Sequence, residues 1–261
     1  MILSRRVSLH GVQLDELHSA IIIRGIDTGV PNEDIQATAL MGGFGQRITR
    51  QHWNVLEVRV TFGIDVPRTN PALRRQIWES VIAWALPGGW LTVNYLTGRR
   101  MYVDKTVIPS SGNLRDWTAD FTIVFRAYSV PFWQDSTATE LTYTGSSGSG
   151  NSMAMNVPGQ FTTVADVDFK NTSGSAITSF QVKRGGKGIV LSGISLADND
   201  TLKIEHDTSG IMRVRCGTTG VNGKIQSGSL DDMYVQPGTG NFSFSASGSG
   251  ELKISVYGRY A

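Results

Sequence analysis

Cysteine occurs once in these 261 residues, at position 216, so an internal disulfide framework and a multi-cysteine metal site are both excluded. That leaves Cys216 as a small buried side chain. Charge of one sign is lacking too. Lys and Arg number 24 against 22 Asp and Glu, a net charge of +2, and the balance holds on both sides of residue 144. Neither half is a polyelectrolyte surface for nucleic acid or anionic lipid. No apolar run approaches the roughly 18 residues of a membrane span, and Arg5 and Arg6 are flanked only by short apolar runs. The sequence predicts neither membrane insertion nor a secretory signal.

Catalytic spacing is missing as well. His10, His18, His52 and His206 stand in no regular relation to one another or to a nucleophile. Glu205-His206-Asp207 holds acid–base groups, but in a pattern that suits a strand-end turn. Paired acids occur at 166 and 168, 198 and 200, and 231 and 232, and for the second pair a turn is the better account. Asp198-Asn-Asp200 begins like a calcium loop, yet has no glycine where such a loop bends and runs straight into Thr201-Leu-Lys-Ile204. Arg184-Gly-Gly-Lys-Gly188 has glycines and a lysine that suit a phosphate, but neither the P-loop spacing nor a following helix; Lys224 fails likewise. There is no Gly-x-Ser-x-Gly elbow. The expectation is a protein without catalytic residues, cofactor or metal.

What the chain does have is patterned strand. In Phe121–Tyr128, Phe121, Ile123, Phe125 and Ala127 share one face and Thr122, Val124, Arg126 and Tyr128 the other; Pro131, unable to donate to a ladder, ends the strand or confines it to an edge. In Val55–Val66 the same alternation sets Leu56, Val58, Val60, Phe62 and Ile64 on one side. Val7–Leu14 and Ala20–Ile23 also read as strand, and Gly42-Gly-Phe-Gly45 as a loop or hairpin arm. Asn70-Pro71 is a helix start; Leu73, Ile77, Val81 and Ala85, with Trp78 and Ile82, make its apolar face, and Gly88-Gly89 its stop. Trp90–Tyr95 and Arg100–Val107 form a hairpin around Gly98.

Composition changes at Thr144-Gly-Ser-Ser-Gly-Ser-Gly-Asn151, a tract with no side chain able to fill a core. All 6 Trp precede it and 19 of the 30 Gly follow residue 144, which divides the chain into domains at 1–144 and 152–261 with 145–151 as linker or loop. The first is a β-sheet or barrel with one packed helix. The second has no helical stretch, only short strands near 165–170, 178–184, 188–191, 201–205, 211–215, 241–246 and 251–257, the spacing of an antiparallel β-sandwich. The first half also holds 13 Arg and one Lys, the second 4 Arg and 6 Lys. Arginine and tryptophan are interface residues, so the first domain is an interface candidate; biased composition with the tryptophans in the core is the alternative.

The order of these pieces resembles the distal tail (Dit) protein family of long-tailed, siphovirus-type bacteriophages, the hubs of tail tip and baseplate. The resemblance rests on Ser8-Leu-His-Gly-Val-Gln-Leu14, Gly42-Gly-Phe-Gly before the Val55–Val66 strand, the Asn70–Leu86 helix and, above all, Phe125-Arg-Ala-Tyr-Ser-Val-Pro-Phe-Trp133. Leu196–Ile204 with Gly210–Val214, and Gly250–Ala261, look like the family's second domain. The resemblance implies a mainly β protein: an N-terminal tail-tube-like sheet or split barrel with one α-helix, then a C-terminal galectin-like antiparallel β-sandwich. It implies a homohexameric ring joining the tail tube protein to tail-associated, fibre or receptor-binding proteins, with DNA passing through the lumen unread. The protein would sit at the virion tail tip after assembly in the bacterial cytoplasm.

Arg47, Arg50 and Trp53, between the glycine tract and the amphipathic strand, are the candidate inter-subunit residues; Trp53 is equally suited to a core. Tyr257 and Tyr260 are the candidate glycan or partner contacts, since exposed rings stack on sugars, while Phe242 and Phe244 share parity and read as core. Two other functions fit: a carbohydrate-binding module for host surface glycans, and a tube or initiator subunit of a related injection machine.

Overall fold

A computed structural model describes residues 5–39, 46–109, 120–145, 151–207 and 211–261. The chain forms two compact units, Met1–Trp133 with Ala261, and Gln134–Tyr260.

The first unit contains β1 (Val7–Leu9), β2 (Val12–Gln13), β3 (Ile21–Thr28), β4 (Glu33–Ala39), β5 (Gln46–Trp53), β6 (Leu56–Ile64), α1 (Pro71–Ala85), β7 (Gly89–Val93), β8 (Arg99–Val103), β9 (Lys105–Val107) and β10 (Phe121–Ala127). One sheet runs β2-β1-β7-β8 and another β3-β6-β10-β9, all antiparallel, while β4 and β5 pair with each other. The alternation in β6 and β10 does what the sequence predicts. Phe121 sits opposite Phe62, Ile123 opposite Val60, Phe125 opposite Val58 and Ala127 opposite Leu56, all buried. Cross-strand rows of large apolar side chains of this kind are the stabilising unit of a sheet.

Helix α1 closes over that face. Asn70 caps it by accepting the Leu73 N–H through Oδ1 at 3.2 Å, and Pro71 begins it. Trp78 lies 4.6 Å from Phe121 and 6.2 Å from Phe62, ring centre to ring centre, and Trp84 meets Phe125 edge-on at 5.8 Å. The Trp84 indole N–H also donates to the Val12 carbonyl at 3.0 Å, tying the helix to β2. The buried stripe differs from the expected one. Leu73 and Ile82 are only half-buried, whereas Arg74 and Trp84 are buried. The buried Arg74 guanidinium carbon lies 5.7 Å from the Phe121 ring centre, within reach of its π-face.

Two further expectations are corrected by one residue, Asp104. The span Arg100–Val107 is not one strand: β8 and β9 belong to different sheets, and the chain turns the corner at Asp104. The Asp104 carboxylate accepts the N–H groups of Tyr128 and Ser129 at 2.6 and 2.8 Å and the Ser129 hydroxyl at 2.8 Å. It thereby takes the donors that would have extended β10. The strand stops at Ala127, ahead of Pro131.

The second unit begins near the short strand β11 (Trp133–Asp135) and continues with β12 (Thr139–Gly145), β13 (Asn151–Val157), β14 (Thr163–Asn171), β15 (Ile177–Arg184), β16 (Lys187–Leu196), β17 (Thr201–His206), β18 (Met212–Cys216), β19 (Thr219–Gly220), β20 (Ile225–Ser227), β21 (Tyr234–Val235), β22 (Gly238–Ala246), β23 (Gly250–Val256) and β24 (Arg259–Tyr260). Its two principal sheets run β12-β23-β14-β17-β18-β19 and β13-β22-β15-β16-β20, with β21 added to β14. The inward side chains of both make one continuous core, from Val167, Phe169 and Ile254 on one side to Phe180, Phe242 and Phe244 on the other. This is the expected antiparallel sandwich, and among its described residues the helical turns are only short 3-10 segments.

The unit boundary falls between Trp133 and Gln134, not at 144, because Thr139–Gly145 pairs along its whole length with Gly250–Val256. The Gly/Ser tract therefore joins two strands of the sandwich; residues 146–150 lie outside the described residues. Buried Asn171 couples the two sheets. Its amide donates to the carbonyls of Ser175, Leu196 and Ala197 at 2.7, 2.9 and 3.0 Å, and its Oδ1 accepts from the Ser173 N–H and hydroxyl at 2.9 and 2.7 Å. All its polar capacity is used, as burial requires. Asp198–Asp200 is a turn, with Asn199 at φ 65° and Asp198 accepting the Gly174 N–H at 2.9 Å.

Candidate functional site

The β4–β5 ribbon is the part of the first unit least accounted for by its own packing. Two strands alone are marginal in water, since neither face nor edge is buried enough to offset the ordering of the chain. Among the described residues no third strand pairs with either. Register follows from sequence except at one place: Gln36 pairs with Arg50 and Ala37 with Ile48, so Thr49 is an extra residue in β5. The bulge reverses the parity of everything before it. Glu33, Ile35, Ala37, Ile48 and Trp53 share one face, and positions 34, 36, 38, 47, 50 and 52 the other.

These faces differ in chemistry. The second carries the Asp34–His52 pair, Oδ2 to Nε2 at 3.4 Å. The first exposes Ile35 and Ile48 by 48% and 54% and leaves Trp53 36% exposed. Isolated exposed isoleucines are ordinary, but two on one face of a two-stranded ribbon, with a tryptophan on the same face, form an apolar stripe suited to a partner. The Trp53 ring meets Phe132 edge-on at 5.2 Å within the unit, and part of it remains accessible. Arg47 and Arg50 lie in β5, in register with Thr38 and Gln36 of β4. The glycine tract between the strands, Gly42–Gly45, lies outside the described residues.

The glycan candidates are placed differently. Tyr260 donates its hydroxyl to Asp135 Oδ2 at 3.2 Å, the same oxygen that accepts the Gly258 N–H at 3.1 Å. It clasps the start of the second unit to its end. Tyr257 is half-buried, with its carbonyl accepting the Thr163 hydroxyl at 2.6 Å. Phe242 and Phe244 are core, as expected, and so is Cys216, whose thiol pKa is pushed up by burial first and by Asp200 second. His206 pairs with Asp166, Nδ1 to Oδ1 at 2.7 Å, at the end of β17. Among the described residues no three His, Cys, Asp or Glu side chains are gathered as a metal would need. No helix there is long and apolar enough to cross a membrane.

No family model matches the chain, and no curated protein sequence does. Among solved structures it matches SPP1 Dit, described as a paradigm of the hub adsorption apparatus in phages that infect Gram-positive bacteria, with a TM-score of 0.67 over 97% of this chain and 98% of that one, at 12% identity. The chain has the Dit fold. A chain of the phage P2 baseplate in its calcium-activated conformation aligns over 98% of both chains at a TM-score of 0.43 and 8% identity. The Dit fold accounts for a mainly β chain with one helix in its first unit and a sandwich in its second.

The outer face of the second unit's larger sheet carries its own electrostatic signature. Asp168 stands directly between Lys203 and Lys253 in the ladder, yet Lys253 pairs with Glu140 at 2.6 Å instead. Desolvation by burial pushes the Asp168 carboxyl above its usual pKa, with the two lysines opposing. A raised carboxylate pKa destabilises the fold above the window between the ordinary value and the raised one, and that penalty disappears as pH falls through it. Asp168→Asn therefore stabilises the second unit at neutral pH and has no effect in acid below the ordinary carboxylate range. Urea midpoints of the two chains across pH check this; a lower midpoint for the variant at pH 7 refutes it.

Proposed function

We propose that this protein is the structural hub of a phage tail tip. It forms a hexameric ring in which first units contact one another and dock on the last ring of the tail tube, while the galectin-like second units serve as attachment points for tail-associated, fibre or receptor-binding proteins. DNA passes through the lumen without specific recognition, in keeping with a net charge of only +2. The protein is a virion component assembled in the bacterial cytoplasm and carries out no catalysis.

The observation that carries this reading is the likeness to SPP1 Dit over nearly the full length of both chains. The ribbon supports it independently. A closed ring needs a heterologous contact, one surface on each subunit meeting a different surface on the next, and a strand pair with an exposed apolar stripe is suited to such a surface. Trp53 and the stripe would form the contact, with Arg47 and Arg50 of the same strand as its candidate polar members. Native mass spectrometry of the purified chain tests self-assembly: a six-copy species supports the ring, and a strict monomer at every concentration opposes assembly of the free chain.

A further inference from the structure

We infer that the free edge of β13 in the second unit is a docking site for an extended strand of another tail-tip protein, which adds to the β13-β22-β15-β16-β20 sheet. This rests on the reading of the second units as attachment points, and it names the element used and the kind of partner.

Among the described residues the two principal sheets of the unit end in β12, β19, β13 and β20, and these edges are not alike. β19 has two residues, and β20 has three with a shift of register against β16. β12 carries Glu140, paired with Lys253 at 2.6 Å. Shortness, bulges and charges of these kinds keep sheet edges from pairing with other chains. β13 has none of them. Its seven residues, Asn-Ser-Met-Ala-Met-Asn-Val, include no charge and no proline, and all hold one unbroken register with β22. In such a pair every second residue of the edge strand turns its N–H and C=O away from its neighbour, and among the described residues no other strand meets them. A row of donors and acceptors at strand spacing is satisfied best by another strand.

The same edge is incompletely sealed. β12 and β13 close on each other across the sandwich: Tyr143 meets Phe244 at 4.9 Å, ring centre to ring centre, and its hydroxyl donates to Asn151 Oδ1 at 3.4 Å. Leu141 and Tyr143 of β12 and Met153 of β13 pack on the core yet stay half-buried, whereas Met155 and Val157 are buried. A strand added to β13 sets alternate side chains over this seam and the others outward beside Ser152, Ala154 and Asn156, which are exposed and uncharged. The partner strand is therefore uncharged and alternates apolar with polar residues. Two β13 edges pairing with each other would join chains two by two, whereas the contacts that close a ring are heterologous, so the occupant is a different chain.

The test uses the full chain and fluorescence anisotropy with labelled peptides: overlapping peptides of the particle's other tail-tip proteins and, as a designed partner, the chain's own Gly238–Ala246 segment, which pairs with β13 in the fold. At least one tail-tip peptide binds. N-methylation of alternate amides in that peptide abolishes binding for one of the two alternate sets and spares it for the other, since only one set faces β13. Met153→Lys, which puts a charge on the seam, weakens binding by about tenfold, and Ala154→Ser on the opposite face leaves it unchanged. The methylated peptides keep the test decisive if Met153→Lys unfolds the unit. On binding, hydrogen exchange slows at residues 151–157 and does not quicken at Gly238–Ala246. Absence of any bound peptide overturns the proposal, and so does binding that neither methylated set reduces. Quickened exchange at Gly238–Ala246, the mark of a peptide displacing β22, overturns it as well. Binding of the chain's own peptide alone gives the edge to a second copy and overturns the partner proposed. Native mass spectra read the ring separately: six-copy rings without strand capture remove this inference and leave the hub, while strand capture by a strict monomer keeps it and removes the ring.

Discussion

Replacing Ile35 and Ile48 together with aspartate abolishes ring formation and leaves the first unit folded. Both side chains already face solvent, at 48% and 54% exposure, so their loss costs the isolated subunit about 0.5 kcal/mol each or less. In a ring the same positions are covered, and a carboxylate sealed into an apolar contact without a partner costs several kcal/mol. Every contact of a closed ring carries both changes. The expected readout is a six-copy species for the parent and only monomer for the double variant, with unchanged denaturant midpoints. The milder Ile35→Val with Ile48→Val retains the stripe and the ring. Rings that persist with both aspartates would remove the ribbon from the interface.

Phe121→Ala unfolds the first unit at far lower denaturant while sparing the second. The ring of Phe121 lies within 4.6 Å of Trp78 and 5.7 Å of Phe62, centre to centre, and beneath the buried Arg74 guanidinium. Truncation opens a cavity at the seam between helix and sheet, costing about 3–5 kcal/mol, and removes the π-face that favours a charge there, a further ~1–2 kcal/mol. That sum is a large share of the roughly 5–15 kcal/mol by which a domain is stable. The chain supplies its own probe: all 6 Trp lie at or before residue 133, so tryptophan fluorescence follows the first unit alone. The fluorescence transition shifts sharply, whereas the ordered β signal of the second unit melts at its parent midpoint. An unmoved fluorescence transition would contradict this packing.

How far the residues foretold this structure depends on what each burial required. Leu56–Ile64 and Phe121–Ala127 were legible because each has one face on the core, so period-two alternation is forced upon it. The helix was legible because Asn70-Pro71 and Gly88-Gly89 bound it. Its buried face was less so. Arg74 is buried beside Phe121, far along the chain, and no local pattern signals that contact. The corner at Asp104 was hidden likewise, since an aspartate between two apolar stretches reads as an outward strand position until Tyr128 and Ser129 arrive beside it. The Gly/Ser tract misled about the boundary because such a tract serves a loop inside a sandwich as well as a linker. Thr139–Gly145 before it is a half-exposed edge strand of weak pattern.

The site was half legible. Arg47, Arg50 and Trp53 pointed to β5, but the bulge at Thr49 decides which residues share a face, and bulges have no sequence signature here. Ile35 and Ile48, apolar residues alone in polar surroundings, were the overlooked signal. Of the second unit's tyrosines, composition could not say which ring stays exposed. The structure assigns Tyr260 to Asp135 and leaves Tyr234 at the surface.

Capping of a tail tube by a ring of this chain is tested most directly by negative-stain imaging of purified tail tubes mixed with the protein, with particle averaging at the tube ends. Six-fold density is expected at one end of each tube, absent with the Ile35→Asp, Ile48→Asp variant. Bare ends at saturating protein, or decoration all along the tube, would contradict it.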